Sequence, residues 1–196
     1  MKQKSGFGSI ITVNLSLQST ESEELTEIQV RNHLGGVGFN IAYLYAHLAE
    51  ETGALDPGNT LLITPGLLTG TAAPSSSRVH INALSPLSGL IGSSSVGGYL
   101  GSAVRPLGIA ALIVTGKSPN PVFIEMDETG INFHNARELW GMDVREADGH
   151  IKEIVSDDRA ELLTIGPAGE NCVRYACIMA GIDHSAGHTG MGAVMG

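Results

Sequence analysis

The chain has 196 residues, a net charge of −9, and 42% hydrophobic against 16% charged residues; that length suits one large domain or two small ones, able to bury roughly 70% of its unfolded surface without staples. The composition is that of a core-rich globular chain, and with no basic stripe it excludes nucleic acid as a partner. No apolar run reaches the length of a membrane span, the opening MKQKSGFGS has lysines but no apolar signal stretch, and Cys172 and Cys177 make no disulfide framework, so the expected compartment is a reducing cytoplasm.

Ser9–Leu15 alternates Ile11, Val13 and Leu15 with Thr12 and Asn14, the pattern of a half-buried strand. The acidic run Thr20–Glu27 reads as a solvated connection or a first helical turn. Val37, Ile41, Leu44 and Leu48 recur at helical spacing, with Tyr45 beside them, in a helix opening on Gly35-Gly36-Val37-Gly38. A glycine turn there can offer backbone N–H groups to phosphate, but Ile41 occupies the third glycine position of a dinucleotide fingerprint, and no strand precedes it. Asp56-Pro57-Gly58-Asn59 is a turn. Leu61–Thr64 and Val79, Ile81 and Ala83 are strands, the second starting directly after Arg78.

Gly97–Val104 reads as a short helix stopped before Pro106. Ile109–Thr115 and Val122–Met126 are strands, and Glu128-Thr129-Gly130 turns the chain into Ile131–Phe133. Asp143 with Glu146 has the spacing of a capping box ahead of a helical stripe, Val144, Ala147, Ile151 and Ile154; Trp140, one turn earlier, is expected in the core. Leu162–Ile165 and Val173–Met179 read as strands, and the tail HSAGHTGMGAVMG as a loop for close backbone approach. With about eight strands and about three helices, and no linker between them, the fold class is α+β with mostly antiparallel or mixed sheets.

The chemistry concentrates in loops of Gly, Ser, Thr and Ala. Arg78 reads as a ligand clamp or as a surface ion pair. Ser93-Ser94-Ser95-Val96-Gly97-Gly98 reads as a backbone cradle for an anion or as a flexible turn. His184 and His188 stand four apart, yet Gly187 and Gly190 argue against the helix that would aim both at a metal. Cys172 and Cys177 lack the two further ligands of a four-cysteine cluster and read as small buried hydrophobes. Ser75–Ser77 has no nucleophile elbow around it, and no carboxylate pair stands out. The inventory suits a cofactor-binding surface better than a self-sufficient active site.

Six segments in one order, PGLLTGTAAPSSSR, SPLSGLIGSSSVGGYLG, GIAALIVTGKSPNPVFI, ELWGMD, IGPAGEN and GHTGMGAVMG, resemble the N-terminal domain of the tungsten-containing aldehyde ferredoxin oxidoreductases, from about Gly6 to Gly196. The resemblance implies a single domain over residues 1–196, with two β-sheets related by a pseudo-twofold axis and a few flanking helices. It implies a base for a bis-molybdopterin cofactor of tungsten or molybdenum. Arg78 matches the arginine that binds the pterin and bridges toward an iron–sulfur cluster ligand. Ser95 stands where the family commonly has Asn, whose backbone carbonyl helps to hold Mg2+ between the pterin phosphates; Ser185 would give the second carbonyl.

Gly97 and Gly98 would present backbone to the pterin. His184, Ser185, Gly187 and His188 match the late phosphate loop, with His at both positions where the family has Arg. A neutral imidazole donates one hydrogen bond rather than a charged fork. The cysteines of the 4Fe-4S cluster and the substrate pocket lie in two C-terminal family domains that this sequence does not include. This domain is therefore expected to be inactive alone, a piece of a longer or split enzyme that oxidises an aldehyde with water to a carboxylic acid and passes electrons to ferredoxin. The missing domains or a partner subunit would complete it, and a homo-oligomer stays open. The alternative is a non-catalytic pterin- or partner-binding scaffold of the same fold.

Overall fold

In a computed structural model, which describes residues 6–196, six strands form one mixed sheet. They are β1 (Ser9–Asn14), β2 (Ser19–Glu24), β3 (Leu61–Pro65), β4 (Val79–Leu84), β5 (Ile91–Val96) and β6 (Ile109–Thr115). Their order is β2-β1-β6-β3-β4-β5, parallel at β1–β6 and antiparallel elsewhere. The centre of the sheet is made of continuous apolar runs because both faces are covered. Leu61, Ile63, Val79, Ile81 and Leu112 point to one core, and Leu62, Ala111 and Ile113 to the other.

The second core is closed by α1 (Glu27–His33) and α2 (Gly36–His47). Thr26 and Gln29 form a reciprocal capping box at α1. Gly36, Phe39, Asn40 and Leu44 are buried on α2, whereas Ile41 and Tyr45 face outward, so the expected apolar stripe is rotated. The helix is apolar nearly all round, and its small Gly36 lets it lie close to the sheet, against His80.

The first core is closed by β9 (Leu163–Thr164), β10 (Ile178–Ala180) and β11 (His184–Ala186), a small sheet ordered β11-β10-β9, and by a hairpin of β7 (Val122–Asp127) and β8 (Gly130–Asn135). Short helices follow the strands: α3 (Leu100–Val104), α4 (Val144–Val155), α5 (Pro167–Glu170) and α6 (Met191–Met195). Asp143 and Glu146 make the expected capping box at α4, which buries Ala147 and Ile151 but leaves Ile154 exposed. The fold is α+β, its described strands lying in three sheets of six, three and two.

Five expectations need correction. Thr20–Glu24 is a paired edge strand, all six residues of β2 being exposed: backbone pairing with β1 holds it without any buried face. Ser93–Val96 is strand rather than loop, since its register with β4 runs unbroken from Ile91 to Val96. The alternation Val173–Cys177 is a run of turns, and only Ile178–Ala180 pairs. Trp140 is 47% exposed, outside the core. The Gly-rich tail, expected as a loop, holds β11 and α6, with Ala186, Met191 and Ala193 buried and Met191 fully enclosed in the first core.

Candidate functional site

β5 is the free edge of the large sheet, and its burial alternates strictly. Gly92, Ser94 and Val96 are inside, while Ile91, Ser93 and Ser95 are outside. What covers the inner face is the segment from β11 to α6. Ser94 Oγ donates to Gly187 O, and Ser85 Oγ donates to Thr189 O at 2.7 Å. A Cβ on Gly92 would lie 2.8 Å from Met191 Cε and from Thr189 Cβ, so glycine is what lets the two segments meet. Between them His188, Thr189 and Gly190 run through three consecutive positive φ angles, 64°, 58° and 74°. The first two cost conformational energy that only the surrounding bonds can hold.

The result is a cleft of about 360 Å3 lined by Ser93, Ser94, Ser95, Ser185, Gly187 and His188. Residues some ninety positions apart in sequence thus share one polar concavity, walled by hydroxyls and backbone and free of carboxylate among its lining residues. The other expected residues lie at its end. Gly97 and Gly98 follow β5 directly. A Cβ on Gly98 would sit 3.6 Å from His184 Nδ1, so the imidazole lies over the glycine pair. Ser77 Oγ donates to Gly98 O at 2.6 Å and pins that turn to the strand start.

Arg78 is the residue before β4. Because Val79 pairs with Val96, Arg78 stands beside the chain as it leaves β5 into Gly97. Its side chain is exposed and makes no ion pair among the described residues. Its charge is felt next door: burial first, and the Arg78 guanidinium second, hold the His80 pKa below its ordinary value.

The sequence-predicted residues are therefore brought together in two adjoining groups. Ser95, Ser185, Gly187 and His188 line the cleft, and Arg78, Gly97, Gly98 and His184 stand at its end. No three His, Cys, Asp or Glu side chains converge on a metal-sized point among the described residues, so His184 and His188 gain no further side-chain ligands. Cys172 and Cys177 are free and half-buried, 172 at a positive φ of 52°. A feature that sequence reasoning missed is the buried set Asn40, Asn82 and Thr64 behind β5; an Asn at a core-facing helical position was its only signal. A second cleft, about 300 Å3, opens at the end of the β7–β8 hairpin beside Asn120, His134, Asn135 and Arg137.

Residues 10–196 match the family described as aldehyde ferredoxin oxidoreductase, N-terminal domain. A glycine-admitted edge strand facing a left-handed loop is thus the structure of a recognised oxidoreductase domain, and this chain belongs to that family. It is 37% identical over 190 residues to the tungsten-containing aldehyde ferredoxin oxidoreductase of Pyrococcus horikoshii, an alignment covering 97% of this chain and 31% of the relative. It is 30% identical over 204 residues to the aliphatic sulfonate oxidoreductase, WOR-like subunit, of Pyrococcus furiosus, covering 96% and 32%. Among solved structures it superposes on the active site complex BamBC of benzoyl coenzyme A reductase in complex with 1,5-dienoyl-CoA. That match has a TM-score of 0.94 and 33% identity, with 97% of this chain and 29% of that one covered. The chain spans about a third of the length of the relatives it matches.

Proposed function

We propose that this domain holds a bis-molybdopterin cofactor of tungsten or molybdenum, within an enzyme that oxidises an aldehyde to a carboxylic acid, with water supplying the oxygen, and passes electrons to ferredoxin in a reducing cytoplasm. The observation that carries the reading is the cleft itself: Ser93–Ser95 and Ser185–His188 face each other across a carboxylate-free concavity with Arg78 at its end. The donors fit phosphate. Serine hydroxyls and backbone N–H groups supply neutral hydrogen bonds, and Arg78 supplies a planar charged fork. The glycine pair fits a flat ring system, because without side chains Gly97 and Gly98 let a ring come close to their backbone, as the His184 imidazole does.

When bound, the cofactor carries the oxygen-transfer and electron chemistry. This chain's residues bind and orient it. Arg78 would neutralise charge at the pterin. The carbonyls of Ser95 and Ser185, hard oxygen ligands, would hold Mg2+ between the phosphates. His184 would lie against the cofactor over Gly97–Gly98, and His188 would donate from the far wall. A 4Fe-4S cluster, the substrate pocket and the ferredoxin contact would come from further domains or a partner subunit, so the domain alone is expected to have no turnover.

A second reading, a metal-free pterin or partner scaffold of the same fold, draws on His184 and His188 standing where the resemblance leads one to expect arginines. Metal and pterin analysis of the protein purified from its native cells separates the two. Tungsten or molybdenum in stoichiometric amount with two pterins per metal supports the first. A folded protein carrying neither sinks it.

A further inference from the structure

Behind the cleft, three polar side chains are enclosed in an otherwise apolar layer. Asn40 and Asn82 are 0% exposed and Thr64 is 1% exposed. They form one directed chain. Thr64 Oγ1 donates to Asn40 Oδ1, Asn40 Nδ2 donates to Asn82 Oδ1 at 2.8 Å, and Asn82 Nδ2 donates to Gly92 O at 3.0 Å. Asn40 Nδ2 also reaches His80 O at 3.3 Å. The chain thus runs from β3 through α2 and β4 and ends on the carbonyl just before Ser93.

Placing amides there is costly unless they are satisfied, since a buried polar group with no partner loses its hydration. Leucines of similar size would fill the layer as well. What the amides add is direction. β5 has a neighbour on one side only, and an edge strand held by a single ladder frays more readily than a central one. Asn82 fastens it from the α2 side at Gly92, while Ser94 fastens it from the other face at Gly187. Asn82 also stands directly opposite Ser93 in the ladder, and His80 opposite Ser95.

We infer that Asn82, anchored by Asn40, is a positioning residue that fixes the β5 backbone at Ser93–Ser95 for phosphate and Mg2+ binding. This rests on the cofactor reading above. The bond chain acts on the strand and touches no ligand.

The test compares Asn82→Ser, which shortens the side chain out of reach of Gly92 O, with Thr64→Val, which cuts the chain at its far end and leaves both Asn82 bonds in place. Amide exchange in the full chain is read by mass spectrometry with β3 and β6 as internal references, and pterin retained through dialysis is measured in the native protein. Asn82→Ser is expected to speed exchange at Ser93–Ser95 about tenfold relative to the references and to weaken pterin retention, while Thr64→Val leaves the ratio unchanged. Equal ratios in both variants overturn the inference. Should Asn82→Ser not fold, Asn40→Ser reads the same bond chain one step back and is expected to loosen the same three residues. If wild-type protein holds no pterin while Asn82→Ser still loosens β5, the cofactor reading fails and the strand-holding role stands.

Discussion

The large sheet has two edges, and they solve the same problem oppositely. β2 reads STESEE, exposes every side chain and sets Glu21, Glu23 and Glu24 along its rim. Charge on an edge repels further pairing. β5 reads IGSSSV, carries no charge, and is sheltered by the segment from His184 to Met191. An edge that is blunted by charge cannot also receive an anion. An edge shielded by a second piece of backbone keeps its polar groups available within a walled cleft. The difference leaves one edge bare to water and gives the other a sheltered polar cleft, the one proposed above to take the cofactor.

Two variants break this comparison on the β5 side. The larger effect is expected from Gly190→Ala. A Cβ there would lie 2.0 Å from Arg174 O, at a φ of 74°. The turn that carries Thr189 and Met191 over β5 would have to move, at a cost of more than about 3 kcal/mol. Urea denaturation should show a large drop in midpoint, whereas Gly149→Ala, within α4 at an ordinary φ and with nothing within 4 Å, should cost far less. A Gly190→Ala midpoint near wild type would mean that the cover over β5 is not held as described.

Next comes Ser95→Glu, which gives β5 the character of β2. Ser95 is exposed, so stability should stay within about 0.5 kcal/mol of wild type by thermal melting. A carboxylate facing phosphate should lower pterin retention in the native protein by at least about tenfold, roughly 1.4 kcal/mol. Unchanged retention would remove Ser95 from the site.

How much of this was legible in the sequence varies with the chemistry of the element. β1, β3, β4 and β6 announce themselves through apolar alternation or apolar runs, the β7–β8 turn through Glu128-Thr129-Gly130, and α4 through Asp143 and Glu146. These are local signals, and the structure keeps all of them. β2 and β5 were hidden because branched side chains that mark strands are few in them, Thr20 in β2 and Ile91 and Val96 at the two ends of β5; each is a strand because a neighbour pairs with it. Val173–Cys177 shows the converse, an alternation with no partner to pair with.

The meeting of Ser95 with Ser185 and His188 could not come from spacing at all. It came from the order of six motifs that resemble a family; in the structure Ser95, Ser185 and His188 line one cleft. Asn40 was passed over because an amide on a helix is usually read as its wet side. Only the positions of Asn82 and Thr64 explain why it is dry.

The smallest expected effect sharpens the comparison from behind. His80 stands opposite Ser95 in the ladder, half-buried against Gly36. Burial, and then the Arg78 guanidinium, lower its pKa. The unfolded chain, whose histidine titrates near 6.5, therefore binds the proton more readily than the folded one. Stability rises with pH across the window between the folded and unfolded values, and is lost as pH falls through about 6.5. In urea titrations from about pH 8 to about pH 5, wild type should lose stability relative to His80→Gln over that window and run parallel to it above. A difference that does not vary with pH would show that the ring is equally free to charge in both states, and that the layer behind β5 is wetter than its packing implies.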